Sequence, residues 1–133
     1  MRQIKFRAWF DSKMWEVVQM GFNPNGSSSV TLYCNGELLF KDDDTDVVFM
    51  QYTGLKDKNG KEIYDGDIVS VKYIYDKRTT DKAQVVWRED KACFGLKSLK
   101  GLTNEAYELY KITAEHNLEV IGNIYENKEL LNE

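Results

Sequence analysis

Residues 50–69 read MQYTGLKDKNGKEIYDGDIV, where two glycine steps, Asn59-Gly60 and Asp65-Gly66, sit close together among tyrosines and carboxylates. Both dipeptides accept the positive φ that tight hairpin turns demand, so the stretch reads as two reversals of a narrow sheet. The chain that follows agrees. From Ile68 it alternates, with Val69, Val71, Tyr73 and Tyr75 on one face and Ser70, Lys72 and Ile74 on the other, which is the period of a half-buried strand. AQVVWRE (83–89), CFGLKSL (93–99), YELYKIT (107–113) and LEVIGNIY (118–125) are further strand candidates. Laid flat, so many short strands would leave open edges, and small proteins avoid that by curling the sheet into a barrel. The expected architecture is mainly β: an SH3-like small barrel over residues 51–133 with Gly66-Asp67-Ile68-Val69 as its first corner. An N-terminal hairpin region over residues 1–50 is expected to pack on it, so that residues 1–133 make one compact unit.

Upstream, IKFRAWF (4–10) places Ile4, Phe6, Ala8 and Phe10 on one face, and MWEVVQMGF (14–22) makes a second strand. NPNGSSS (23–29) holds the only proline and reads as an exposed loop. VTLYC and ELLF flank Asn35-Gly36, the strongest short-range hairpin signal. The acidic run Asp42, Asp43, Asp44 and Asp46 separates that hairpin from VVFMQYTG (47–54), while GLTNEA and NKELLNE read as polar connections or short helical turns.

With 133 residues, 42% hydrophobic and 13% aromatic, the chain can bury a core of its own. A formal charge of −4 argues against a general attraction to polyanions such as nucleic acid or anionic membrane. MRQIKFRAWF lacks the apolar run of a signal peptide, and no stretch is apolar enough to span a bilayer. A cytoplasmic location is expected, with Cys34 and Cys93 as free thiols.

IKFRAWFDSKMW, VVFMQYTGLKDKNGKEIYDGDIV and LEVIGNIYENKELL together resemble the YopX family of bacteriophage and prophage proteins. The three blocks match in order and span nearly the whole chain; residues 23–41 and 75–83 are least like the family. The resemblance implies a phage or prophage origin, work in the host cytoplasm and an SH3-type barrel. It implies no activity.

The same residues can be tested for chemistry. DKNGKEIYDGDI from Asp57 has the length and opening of an EF-hand loop, but its fifth, sixth and twelfth positions are Lys61, Glu62 and Ile68, where calcium needs an oxygen ligand, a glycine and a bidentate acid. Asp57, Asn59 and Gly60 are expected to shape a hairpin instead. Glu62, Asp65 and Asp67 could supply an acid–base pair, yet turns favour solvated, ionised carboxylates there. His116 is the only histidine and sits in a polar link, so neither a zinc site nor a nucleophile–base pair can be assembled around it. Cys93 reads as a small buried hydrophobe. No glycine-rich phosphate loop occurs. No metal, cofactor or catalytic residue is expected.

Small barrels do present aromatic platforms to bases. Trp9, Tyr52, Tyr64, Tyr73, Trp87 and Tyr125 could serve, with Lys56, Lys58, Lys61, Lys72, Lys77, Arg78 and Lys82 as a basic side. Aromatics in short strands more simply fill a core, and lysines guard edges. The expectation is therefore a non-catalytic module that binds another macromolecule, with self-association as one form of it. A nucleic-acid binder and an enzyme with an unfamiliar site are the alternatives. The contact surface is expected around Tyr52, Thr53, Tyr64 and Trp87, because polar-tipped aromatics beside turns anchor interfaces.

Overall fold

A computed structural model describes residues 3–42, 46–72, 80–99, 107–109 and 114–132. Several sequence expectations, among them Tyr73, Ile74, Tyr75, Lys77, Arg78, Asp43, Asp44 and the 101–106 connection, lie outside the described residues. The described chain is mainly β, in antiparallel sheets with very little helix. Among these residues no helix is long and apolar enough to cross a membrane. Two compact units divide the chain between Gln51 and Tyr52.

The first unit is a meander. Strands β1 (Phe6–Phe10), β2 (Lys13–Phe22), β3 (Ser28–Cys34) and β4 (Glu37–Lys41) pair in sequence order, and the start of β5 (Val48–Lys56) pairs with β1 on the other side. Its turns explain the order. Asp11 and Ser12 both adopt positive φ, at 51° and 56°, and Asn35 and Gly36 do so at 49° and 87°. Positive φ at both central residues is the geometry that matches strand twist in a two-residue hairpin. Alternation sends Ala8, Trp15, Val30 and Leu32 inward to a buried cluster with Val47. The Trp15 indole N–H donates to the Phe10 carbonyl at 2.9 Å, satisfying the one polar group that this large ring brings into the core. A bulge between Val17 and Gln19 leaves Val18 exposed.

The second unit holds the rest of β5 with β6 (Glu62–Tyr64) and a five-stranded sheet. That sheet comprises β7 (Asp67–Lys72), β8 (Thr80–Arg88), β9 (Cys93–Ser98), β10 (Tyr107–Glu108) and β11 (Leu118–Asn123), in the order β10-β9-β8-β7-β11. A single-turn helix, α1 (Ala114–Asn117), precedes β11, and a 3-10 turn covers Lys128–Asn132. The core joins Ile63, Val69, Val71, Ala83, Val85, Leu96, Leu109, Ala114 and Leu118. Ile68 is also fully buried beside Val69, so β7 departs from simple alternation at its start, where both of its faces are covered. At the Asp65-Gly66 corner, Gly66 adopts φ 89°. Its N–H donates to the Val85 carbonyl at 2.9 Å and its carbonyl accepts from the Ile124 N–H at 3.0 Å, which ties the corner to β8 and to the end of β11.

Candidate functional site

Within the second unit, Trp87 on β8 and Phe94 on β9 are directly opposed cross-strand partners. Their rings meet edge to face, with centroids 5.0 Å apart at 74°, the arrangement that aligns a positive ring edge with a negative face. Beside them opens a groove of about 280 Å³, lined also by Thr53 and Leu55 of β5, Ala92, Cys93 and Leu109. Leu109 belongs to the core, and Phe94 and Leu55 are half-buried against it. Trp87 is different: it is 46% exposed. The Thr53 hydroxyl donates to the Ile63 carbonyl at 2.8 Å and accepts from the Leu55 N–H at 3.2 Å, so it fixes one wall. Mostly apolar side chains beneath a half-exposed indole, with no charged side chain in the lining, suit an apolar side chain better than an ion or a phosphate.

The frame around the groove is held by buried polar groups. Asp57 is 3% exposed. Its Oδ1 accepts from the N–H groups of Asn59 and Lys61, each at 2.9 Å, and its Oδ2 accepts from Val120 N–H at 2.9 Å, 63 residues away. Burial pulls its pKa upward, but the donors from Val120, Lys61 and Asn59, with the Lys61 charge, outweigh burial and hold it below the ordinary 3.8. Both oxygens of the EF-hand-like loop's first acid therefore serve the backbone. Asn123, also buried, closes the far end of β11: its side-chain oxygen accepts from Tyr125 and Glu126, and its N–H donates to Asn127 Oδ1 at 3.1 Å. Burial, then the Asp65 charge, pushes the nearby Tyr125 hydroxyl above its ordinary 10.0.

The structure brings Thr53 and Trp87 to one groove. Tyr52 and Tyr64 stand apart from its lining; Tyr52 is 5% exposed, and its ring pairs with the half-buried Tyr64 at 5.6 Å. Two expectations are corrected. Asp67 is buried, not solvated, because its Oδ2 turns back to accept the Tyr64 N–H at 2.8 Å and the β6–β7 corner closes over it. Cys93 is half-buried and lines the groove, because it opens β9 beside the turn. Both cysteines are free thiols. His116 is exposed on α1, and among the described residues no three His, Cys, Asp or Glu side chains are grouped to hold a metal ion. Phe94, Leu55, Ala92 and Leu109 were not singled out from sequence. Pairing AQVVWRE with CFGLKSL across a turn at 89–92 would have placed Phe94 opposite Trp87.

Two small antiparallel β units, the second carrying an open aromatic groove, define the class of this protein. The model of the YopX protein family matches residues 5–132, and the chain belongs to that family. The crystal structure of protein EF1440 from Enterococcus faecalis is similar over 98% of this chain and 99% of its own, at 27% identity and a TM-score of 0.64. Protein yopX from Bacillus subtilis, 22% identical over 98% of each chain with a TM-score of 0.66, shares the fold. No curated protein matches the chain.

Proposed function

We propose that the protein is a non-catalytic interaction module that binds a protein partner by seating an apolar side chain of that partner against Trp87. The half-exposed indole over an apolar groove carries this reading, since solvent-exposed tryptophans on rigid strands anchor interfaces. The second unit is read as an SH3-like barrel, a fold that uses such aromatic grooves for extended peptides. Phage or prophage origin and work in the bacterial cytoplasm follow from the sequence blocks that resemble the family. The buried carboxylates favour a binding role over catalysis, because Asp57 and Asp67 are committed to backbone N–H groups.

A partner recovered from host cells and then purified provides the test. Trp87→Ala is expected to weaken its binding at least about 30-fold, the loss typical of an interface anchor, while the circular dichroism spectrum stays unchanged. Equal affinity of the folded variant and the wild type would contradict the groove as the contact. Retention of single-stranded DNA at low salt, lost at moderate salt and unchanged by Trp87→Ala, would replace this reading with nucleic-acid binding.

A further inference from the structure

We infer that β4 of the first unit is a self-pairing edge through which two copies of this chain join antiparallel. Among the described residues β4 is paired only with β3. Its register with β3 runs without a bulge from Cys34↔Glu37 to Val30↔Lys41, so the edge is flat. The usual protections are absent from its middle: Leu38-Leu39-Phe40 carries no charge and no proline. Lys41, the one cation of the strand, stands at its end, with Nζ 4.3 Å from the Phe10 ring centroid and 3.2 Å from Asp46, and leaves the middle unguarded. Leu38 and Phe40 are instead 66% and 65% exposed.

Backbone alternation supplies the second argument. In a two-residue hairpin the flanking pair, here Cys34 and Glu37, exchanges both hydrogen bonds, and the pairs then alternate. The amide groups of Leu39 therefore face β3, and those of Leu38 and Phe40 face the open edge. An antiparallel second copy centred on Leu39 places Leu38 opposite the other copy's Phe40 as a hydrogen-bonded pair. The same register sets Glu37 opposite Lys41 at both ends. Charge, apolar contact and hydrogen-bond phase agree only there; sliding by two residues one way sets Leu38 against Asp42 and Lys41 against Leu39, and sliding the other way sets Glu37 against Leu39 and Phe40 against Gly36. The occupant that fits this edge is thus the strand's own copy.

Light scattering of the full chain over a concentration series tests this. The wild type is expected to approach twice the 15.5 kDa chain mass. Phe40→Pro removes an N–H that the fold leaves at the edge, a position where proline is tolerated, and is expected to weaken the dimer at least tenfold with the fold intact. Glu37→Lys is expected to weaken it as well, and adding Lys41→Glu to restore it by reversing both charge pairs. A wild type that remains at 15.5 kDa up to about 1 mM, or a Phe40→Pro variant as dimeric as the wild type, would overturn the proposal.

Discussion

The two units stabilise their strands by different means. In the first, β1 to β4 lie side by side in their sequence order, joined by turns such as Asp11-Ser12 and Asn35-Gly36, and the start of β5 alone returns from a distance, to β1. In the second, contacts distant in sequence close the structure: Asp57 to Val120, Lys58 to Leu118, Gly66 to Val85 and Ile124. A meander can be assembled one hairpin at a time, whereas the second unit must meet the loop-closure cost before those ties reward it. It follows that a single buried acceptor matters more in the second unit than a single turn residue in the first.

The largest expected effect tests that ordering. Asp57→Ala leaves three backbone N–H groups without their acceptor in a buried place, and should cost the second unit about 4 kcal/mol. Urea unfolding followed at Trp87 would measure it. The Trp15 indole N–H resonance should hold its position, since its acceptor, Phe10, is in the first unit. A loss as large in the first unit would erase the contrast.

Glycines sharpen it next. A Cβ at Gly122 would lie 2.6 Å from Asn127 Oδ1, displacing the side chain that receives the Asn123 N–H. Gly122→Ala is expected to cost about 2 kcal/mol, and removing the obstruction with Asn127→Gly should make the second substitution less than additive in the same unfolding assay. At Gly36 nothing lies within 4 Å of a Cβ, and the cost comes from φ alone, at +87°. Gly36→Ala should therefore cost only about 1 kcal/mol, confined to the first unit. Smallest is the exposed pair Lys58–Glu119, with nitrogen and oxygen 3.3 Å apart. Lys58→Gln should change the unfolding free energy by less than about 0.5 kcal/mol.

How much of this was legible follows the same division. Asn35-Gly36 announced its hairpin because both residue types take positive φ readily. Asp11-Ser12 makes the same kind of turn with residues that announce it only weakly. The local role of Asp57 was visible from Asn59-Gly60 beside it, and the structure shows Oδ1 on the Asn59 and Lys61 amides. Nothing near Asp57 in sequence could signal that its other oxygen meets Val120, since that contact exists only once β11 lies beside β7. Asp67 was legible as a turn acceptor but not as buried. For the groove, Thr53 and Trp87 stood out as residue types, while Phe94 and Leu109 needed strand register to join them.

Asp57, ionised and buried, ties β11 to the Asn59-Gly60 turn and so holds the second unit together. Its folded pKa lies below the ordinary 3.8, so its contribution is complete above that value, shrinks as pH falls through it, and is gone once pH passes below the folded pKa. The direct measurement is urea unfolding of the wild type and Asp57→Asn as a function of pH from about 7 to about 2.5. The wild type should be the more stable at neutral pH, and the gap between the two should narrow as pH drops below 3.8. Two stability curves that stay parallel throughout would contradict the claim.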